Sequence, residues 1–189
     1  MKTLTIVALI LFSALTAHAQ QTAQQEAPIR KGFTLGGSAG VGVLHFTDGA
    51  TDNQTSGNIS LPNMKIGWFL TPRTALYLNT TSQIYETNGR DRSFEGYIPT
   101  IQYYTGSKWW VSGGFGPSLD TRAFYESKSK SAATHWGKGV LLSTGYEFKQ
   151  RAKWALDLQA RLYMASINIG EGQHLEGTSF TIAVGITLL

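Results

Sequence analysis

The sequence contains no cysteine, few prolines and little charge. Without cysteine the chain can form no disulfide and can carry no lipid on a thiol. Asp, Glu, Lys and Arg make up 15% of the residues, whereas ordinary soluble domains carry about 25%. The formal net charge of +4 is too small to indicate a nucleic-acid-binding protein. A chain so poor in charge either hides much of its surface or exposes it to something other than water.

Long apolar runs are also missing beyond the first 20 residues, so no transmembrane helix is predicted there. The chain begins with the cation Lys2, an apolar segment from Leu4 to Thr16, and the small-x-small motif Ala17-His18-Ala19. These three features are typical of a secretory signal peptide, and the apolar segment is too short to span a bilayer. We therefore expect residues 1–19 to be a cleaved signal peptide.

The rest of the chain shows alternation of apolar and polar residues, which is typical of strands with two different faces. In WALDLQARLYM (154–164), every second residue from Trp154 is apolar, while Asp157, Gln159 and Arg161 share the opposite face. Alternation recurs over residues 32–46, 58–70, 74–85, 94–105, 108–119, 139–148 and 178–189. Short and longer polar connections alternate between these segments. The pattern predicts an all-β fold, an eight-stranded antiparallel up-and-down transmembrane β-barrel.

Charged residues inside the predicted strands are few and fall on one face. Lys65, Glu147, Asp157 and Arg161 all lie opposite the bulky apolar row. This indicates a polar lumen and an apolar exterior, the reverse of a soluble ligand-binding barrel. Because buried charges must be paired, we expect these four residues to form a lumen network. We expect that network to fill the barrel rather than to conduct ions.

Aromatic residues cluster beside the short connections, on the predicted outward face. Amphipathic rings favour the membrane interface, so the cluster predicts a periplasmic aromatic girdle. The alternative is that these are the core aromatics of a soluble β-sandwich. The predicted girdle residues are Trp68, Tyr103, Trp109, Tyr146, Phe148 and Trp154.

The segments KIGWFLTPRTALYL (65–78) and FTIAVGITLL (180–189) carry a resemblance to the small eight-stranded outer-membrane barrels of the OmpA/OmpX type. The first resembles a strand-turn-strand unit, and the second resembles the C-terminal signal that the barrel-insertion machinery binds, although Leu189 replaces the usual aromatic residue. The resemblance covers residues 32–189 and implies a Gram-negative outer-membrane location. Residues 20–31 would then be a short periplasmic segment.

The longer connections would lie at the cell surface, and the third, DTRAFYESKSKSAATHWGKG (120–139), is basic and aromatic. Its cations could meet lipopolysaccharide phosphates, with its aromatics at the headgroup level. It could equally contact a surface protein, or be a solvated loop with no dedicated partner. The candidate contact residues are Phe124, Tyr125, Lys128, Lys130 and Trp136.

No residue pattern predicts catalysis, a cofactor or a metal site. Some small barrels modify lipid A with a histidine, but here His45, His135 and His174 lie on different predicted connections or strand ends, with no His-x-Ser pair. We therefore expect a structural or surface-interaction protein and not an enzyme. Two alternatives stay open: a narrow porin-like channel for small or hydrophobic solutes, and a lipid A modifying enzyme.

Overall fold

The computed structural model describes residues 30–48, 55–87, 89–126, 133–170 and 172–189. These residues form eight strands that pair antiparallel with their neighbours in sequence, and β1 pairs with β8 to close the barrel. The strands are β1 (Gly32–Asp48), β2 (Thr55–Thr71), β3 (Thr74–Thr87), β4 (Arg90–Tyr104), β5 (Trp109–Arg122), β6 (His135–Arg151), β7 (Trp154–Gly170) and β8 (Gln173–Leu188). The predicted fold class is confirmed. The predicted signal peptide lies outside the described residues.

Within those ranges, no helix is long and apolar enough to cross a membrane.

The two ends of the barrel differ in their connections. The turn end carries the start of β1, the end of β8 and the short connections 72–73, 105–108 and 152–153. The loop end carries the other four connections. Two connections that the sequence predicts to be longer leave only two residues between strands, after Thr87 and after Gly170, and Gly89 and Gly172 there have φ angles of +67° and +76°. Glycine adopts such angles readily, so the chain reverses there at little steric cost.

Close strand approach at the closing seam requires a residue without a side chain. At Gly40, where β1 meets β8, an added Cβ would collide with the carbonyl oxygen of Ile182. A glycine there lets the first and last strands pair without distortion.

Successive side chains point alternately into and out of the barrel. The strands are 14 to 17 residues long, whereas about 9–11 tilted residues suffice to cross a bilayer. The outward face is exposed and apolar on every strand. Examples, one from each strand in order, are Val41, Ile66, Leu78, Ile101, Val111, Leu142, Leu158 and Ile182.

Candidate functional site: the filled lumen and the loop end

A polar layer crosses the middle of the lumen. Lys65 on β2 faces Asp157 on β7, with 3.9 Å between Nζ and Oδ2. The ammonium also lies 5.3 Å and 5.2 Å from the ring centroids of Tyr77 and Trp110. Asp157 is fully buried, and its other oxygen accepts a hydrogen bond from Gln159 Nε2 at 2.7 Å. The aspartate therefore has a cation and an amide donor to offset its burial.

Arg161 reaches from β7 across the lumen. Its Nη2 donates to the carbonyl oxygen of Thr80 at 2.9 Å, and its Nη1 donates to the hydroxyl of Ser38 at 3.3 Å. These contacts join three strands that are not neighbours in the sheet. The Arg161 side chain therefore links β7, β3 and β1 through the lumen.

A second charged group closes the turn end. Arg30, which precedes β1, points into the barrel and donates to Glu147 Oε2 at 2.7 Å and to the carbonyl of Ser107 at 2.7 Å. Its guanidinium carbon lies 3.7 Å from the ring centroid of Tyr104. Glu147 is 0% exposed and also accepts from Tyr104 Oη at 2.9 Å and Gln150 Nε2 at 2.7 Å. A carboxylate with three donors is well compensated for its burial.

The four charged residues that the sequence singles out all lie inside the barrel, where their direct contacts fall into three groups. Lys65 pairs with Asp157, Glu147 pairs with Arg30, and Arg161 binds hydroxyl and carbonyl groups. Arg30 has no signal in the sequence, because it lies in the segment predicted to be periplasmic and outside any alternating pattern.

The outer half of the lumen holds an apolar cluster beside buried polar side chains such as Gln83 and Ser118, so the lumen is polar only in part. Inward side chains toward the loop end form one buried cluster, in which the rings of Phe46 and Phe94 meet edge to face at 5.5 Å and those of Phe94 and Tyr163 lie 5.3 Å apart. The cluster holds Leu44, Phe46, Tyr85, Phe94, Ile98, Leu141, Tyr163, Ala165, Ile167 and Leu175. Side chains thus fill the barrel from both ends.

The outward face has the composition of a lipid-facing surface. An exposed apolar belt surrounds the barrel. Exposing such a belt to water costs roughly 25 cal/mol of free energy for each Å² of apolar surface. Aromatic rings lie outward beside the turns, with Trp109 and Tyr146 in contact at 5.1 Å and Lys149 over Trp154 at 5.7 Å. All six residues of the predicted girdle occupy such positions: Trp68, Tyr103, Trp109, Tyr146, Phe148 and Trp154.

Solved structures with this architecture include three bacterial proteins. Neisserial surface protein A aligns with a TM-score of 0.55 at 16% identity, over 82% of this chain and 96% of that one. Ail, the attachment invasion locus protein of Yersinia pestis, aligns at 0.47 and 7% identity over 83% and 99%. The outer membrane protein OprG of Pseudomonas aeruginosa aligns at 0.43 and 11% over 86% and 97%. The chain has the fold of the small eight-stranded outer-membrane barrels. No family model and no curated protein sequence matches it.

At the loop end of this outer-membrane-type barrel, one arginine ties three segments together. Arg92 on β4 contacts both carboxylate oxygens of Asp120 on β5, and Tyr85 on β3 donates to the same carboxylate at 2.9 Å. Arg92 Nη2 also donates to the carbonyl of Ala133 at 3.0 Å, just before β6. The base of the connection between β5 and β6 is therefore fixed to the barrel wall.

The same base presents two exposed aromatic rings. Tyr125 Oη donates to Asp91 Oδ2 at 3.0 Å, and the amide of Asp91 donates to Glu126 at 3.4 Å. The Phe124 side chain packs edge to face on Tyr125 at 5.2 Å and stays 76% exposed. The hydrogen bonds of Tyr125 and Glu126 therefore hold the backbone on the C-terminal side of this exposed ring.

Three further residues are predicted loop contacts. Of these, Lys128 and Lys130 are outside the described residues. Trp136 is not in a loop but on β6, because the β5–β6 ladder continues to the pair Asp120–His135. It faces outward, ten positions from Tyr146 on the same strand. At about 3.4 Å per residue and a tilt of about 40°, that separation spans about 26 Å, close to the apolar band of such barrels.

The three histidines also lie on strands: His45 on β1, His135 at the start of β6, and His174 on β8. The prediction of loop positions for His135 and His174 is therefore wrong. His45 pairs with Thr178, so His174 lies four residues further along β8, about 13 Å away along the strand. Across the described ranges, no group of three His, Asp or Glu residues could hold a metal ion.

Proposed function

We propose that this chain is an integral protein of the Gram-negative outer membrane, in which a closed barrel anchors a surface-exposed contact site. The filled lumen is the observation that carries the proposal. A channel needs a continuous open path, whereas the cluster around Phe46, Phe94 and Tyr163 fills much of the outer half of the barrel. The inner charges are held in ion pairs and hydrogen bonds, which suits structural filling better than conduction.

The partners follow from the two surfaces. The outward belt suits outer-membrane lipid, and the outer aromatic Trp136 beside the cation Lys138 suits the headgroup level of lipopolysaccharide. The alternating strand β8 suits recognition by the barrel-insertion machinery. The tethered pair Phe124 and Tyr125 supports a contact with another surface protein.

Single-channel recording in planar bilayers tests the closed barrel. We expect the purified, folded protein to give no steady conductance. As a positive control, the double variant Phe46→Ala with Phe94→Ala shortens two side chains of the apolar cluster. It should raise the frequency of transient channel openings. Sustained currents from the wild-type protein would show a channel instead.

Photo-cross-linking tests the surface site. A benzoylphenylalanine at position 124 should give protein adducts on intact cells. The same probe at position 115, which is exposed on the outward belt, should give lipid adducts as a matched control. Lipid adducts or none at position 124 would remove the support for a protein contact at this site.

The enzymatic alternative has its own test. If the chain modified lipid A, expressing cells would carry altered lipid A that disappears when His45, His135 and His174 are all replaced by alanine. We expect lipid A to be identical with the wild-type chain, the triple variant and no chain.

A further inference from the structure

The backbone ladder between β2 and β3 stops partway along the two strands. It runs from the turn between them to Lys65, which lies opposite Asn79. Toward the loop end, residues 55–64 of β2 have ladder partners only on β1, and residues 80–87 of β3 have them only on β4. In the seven other pairs of neighbouring strands, the ladder of the described residues reaches the loop end. We call the two facing stretches, 55–64 and 80–87, the β2–β3 seam.

Side chains make the bonds that the ladder lacks. Ser82 of β3 donates its backbone N–H to Asn63 Oδ1 at 3.4 Å, and its carbonyl accepts from Ser60 Oγ at 3.0 Å. Every second residue of an antiparallel strand turns its backbone N–H and C=O toward the same neighbour, so Thr80 faces β2 as Ser82 does. The carbonyl of Thr80 accepts from Arg161 Nη2 at 2.9 Å. Both carbonyls are therefore bonded to side chains rather than to the β2 backbone.

The sequence of β2 explains why the ladder stops. Between Ser60 and Asn63, β2 contains one residue more than β1 does opposite it, which is a β-bulge. The bulge contains Pro62, which has no backbone N–H to give to β3. The hydroxyl of Thr80 bridges this position, because it donates to the carbonyl of Pro62 at 3.3 Å and accepts from the N–H of Met64 at 2.8 Å. Each of these bonds across the seam depends on a side chain.

An apolar cluster lies directly behind the seam. Strands β1 and β3 flank β2, and their inward rings Phe46 and Tyr85 lie 4.8 Å apart between centroids. Phe94 of β4 meets Phe46 edge to face at 5.5 Å. All three side chains are almost completely buried. A movement of β2 away from β3 would therefore uncover these rings sideways, toward the exterior of the barrel.

Separating the two strands at the seam would leave few polar groups without a partner. Asn63 Nδ2 also donates to the hydroxyl and to the carbonyl of Ser60, both at 3.0 Å, and both residues stay on β2. Arg161 approaches Thr80 from the lumen and can move with β3. An unpaired backbone group is strongly unfavourable in hydrocarbon, and separating two laddered strands would create many of them. The seam is therefore the part of the wall that opens most easily.

We propose that the barrel wall opens locally at the β2–β3 seam, and that the opening brings the cluster of Phe46, Tyr85 and Phe94 into contact with the surrounding lipid. The seam is a conformational device of the wall, held shut by the side-chain hydrogen bonds that cross it. The opening connects the lumen with lipid and gives no aqueous path through the barrel, so it produces no steady conductance. The contact with lipid rests on the proposed outer-membrane location, whereas the opening itself rests on the strand pairing alone.

Hydrogen–deuterium exchange of the full chain in lipid nanodiscs, measured by mass spectrometry, tests the opening. Peptide 82–87 ends β3, and peptide 165–170 ends β7, which is paired with both of its neighbours. In the wild-type protein we expect the first peptide to exchange about tenfold faster than the second. Thr80→Val should accelerate the exchange of peptide 82–87 about fivefold further, as expected for the loss of one net hydrogen bond. This peptide contains no partner of the Thr80 hydroxyl, so the acceleration reports opening of the whole seam.

Thr144→Val is the matched control. The Thr144 hydroxyl also donates to a neighbouring strand, to the carbonyl of Trp110 at 2.9 Å, but there the ladder between β5 and β6 is continuous. Its removal should leave the exchange of peptide 82–87 and of the β6 peptides unchanged. Circular dichroism verifies that each variant is folded.

Photo-cross-linking tests where the opening leads. A benzoylphenylalanine at position 46 should give lipid adducts that become more frequent in Thr80→Val and not in Thr144→Val. Position 163 belongs to the same apolar cluster but lies on β7, away from the seam. The same probe there should give adducts only within the chain.

Equal exchange of peptides 82–87 and 165–170 in the wild-type protein would overturn the proposal, as would unchanged exchange of peptide 82–87 in Thr80→Val. Lipid adducts that are absent at position 46, or equally frequent at positions 46 and 163, would overturn it too. Any of these results from a chain that folds in nanodiscs would overturn this inference alone. A chain that cannot fold in nanodiscs would overturn the proposed function as well.

Discussion

Arg30 shows how one residue outside the strands can close the barrel. Its guanidinium is held by Glu147, by the carbonyl of Ser107 and by the face of Tyr104. No sequence pattern predicts this contact, because a cation before the first strand looks like any solvated terminal residue. Alternation correctly indicates that Glu147 faces inward. It does not identify the partner of this buried charge, because the partner depends on which strands lie opposite and on their register, and one strand's sequence determines neither.

Replacing Arg30 with methionine should destabilise the folded barrel by about 3 kcal/mol, because it leaves a buried carboxylate without its cation. The double variant Arg30→Met with Glu147→Gln should recover most of this loss, since the uncompensated charge is then gone. Denaturant titration in lipid vesicles, followed by tryptophan fluorescence, measures the free energy of unfolding. Equal stability of the wild-type and Arg30→Met proteins would mean that the contacts of Arg30 at the turn end do not stabilise the barrel.

Leu142 tests the outward face at a second residue. It is 47% exposed and lies between Trp136 and Tyr146 on β6, whereas Leu70, 60% exposed, directly precedes the end of β2 at the turn end. Arginine on a lipid face costs about 2–4 kcal/mol at the bilayer midplane and about 0–1 near the interface. Leu142→Arg should therefore destabilise folding in vesicles far more than Leu70→Arg. Equal effects would argue against a membrane-spanning orientation.

At the scale of strands, the sequence predicts the turn end well and the loop end poorly. Strand β7 begins at Trp154, as predicted, but continues to Gly170 instead of ending at Met164. Strand β6 begins at His135 rather than Gly139. The reason is physical: outside the lipid both faces of a strand can be polar, so alternation stops while the hydrogen-bonded ladder continues. The sequence also does not identify inward apolar residues such as Phe46, because an apolar side chain can face either the lumen or the lipid.

One of the contacts that hold the connection between β5 and β6, the hydrogen bond from Tyr125 to Asp91, can be removed by one substitution. Partial burial and the hydrogen bond to Asp91 raise the pKa of the Tyr125 hydroxyl above its ordinary value. The neutral, donating form is thus favoured, and the tether should persist below that raised pKa and be lost as the pH rises through it. Tyr125→Phe removes the donor at every pH.

We expect tryptic cleavage after the sequence positions Lys128 and Lys130 to accelerate about fivefold in Tyr125→Phe, the effect of one hydrogen bond worth about 1 kcal/mol. Tyr103→Phe, at the opposite end of the barrel, is the matched control and should be cleaved as the wild-type protein is. Identical cleavage of all three proteins at neutral pH would show that the bond to Asp91 does not order this connection.

For the whole molecule, the two aromatic levels set the membrane thickness that the barrel fits. Trp136 and Tyr146 lie on the same face of β6, and their separation corresponds to a band about 26 Å tall. Asp120 pairs with His135, next to Trp136, so the Arg92–Asp120 pair lies at the outer aromatic level, and Phe124 and Tyr125 follow the end of β5 beyond it. The height of the barrel and that of its apolar belt therefore follow from the length and tilt of the strands.

Stability should depend on bilayer thickness with a maximum near that height. Mismatch costs a fraction of a kcal/mol per Å, so a bilayer about 5 Å thicker should lower the free energy of unfolding by about 1–2 kcal/mol. Denaturant titrations in vesicles of increasing acyl-chain length measure this. Trp136→Leu removes the outer aromatic level and should move the maximum toward thicker bilayers, whereas Phe124→Leu, above the lipid, should leave it unchanged. A maximum that stays fixed in Trp136→Leu would mean that Trp136 does not mark the outer interface.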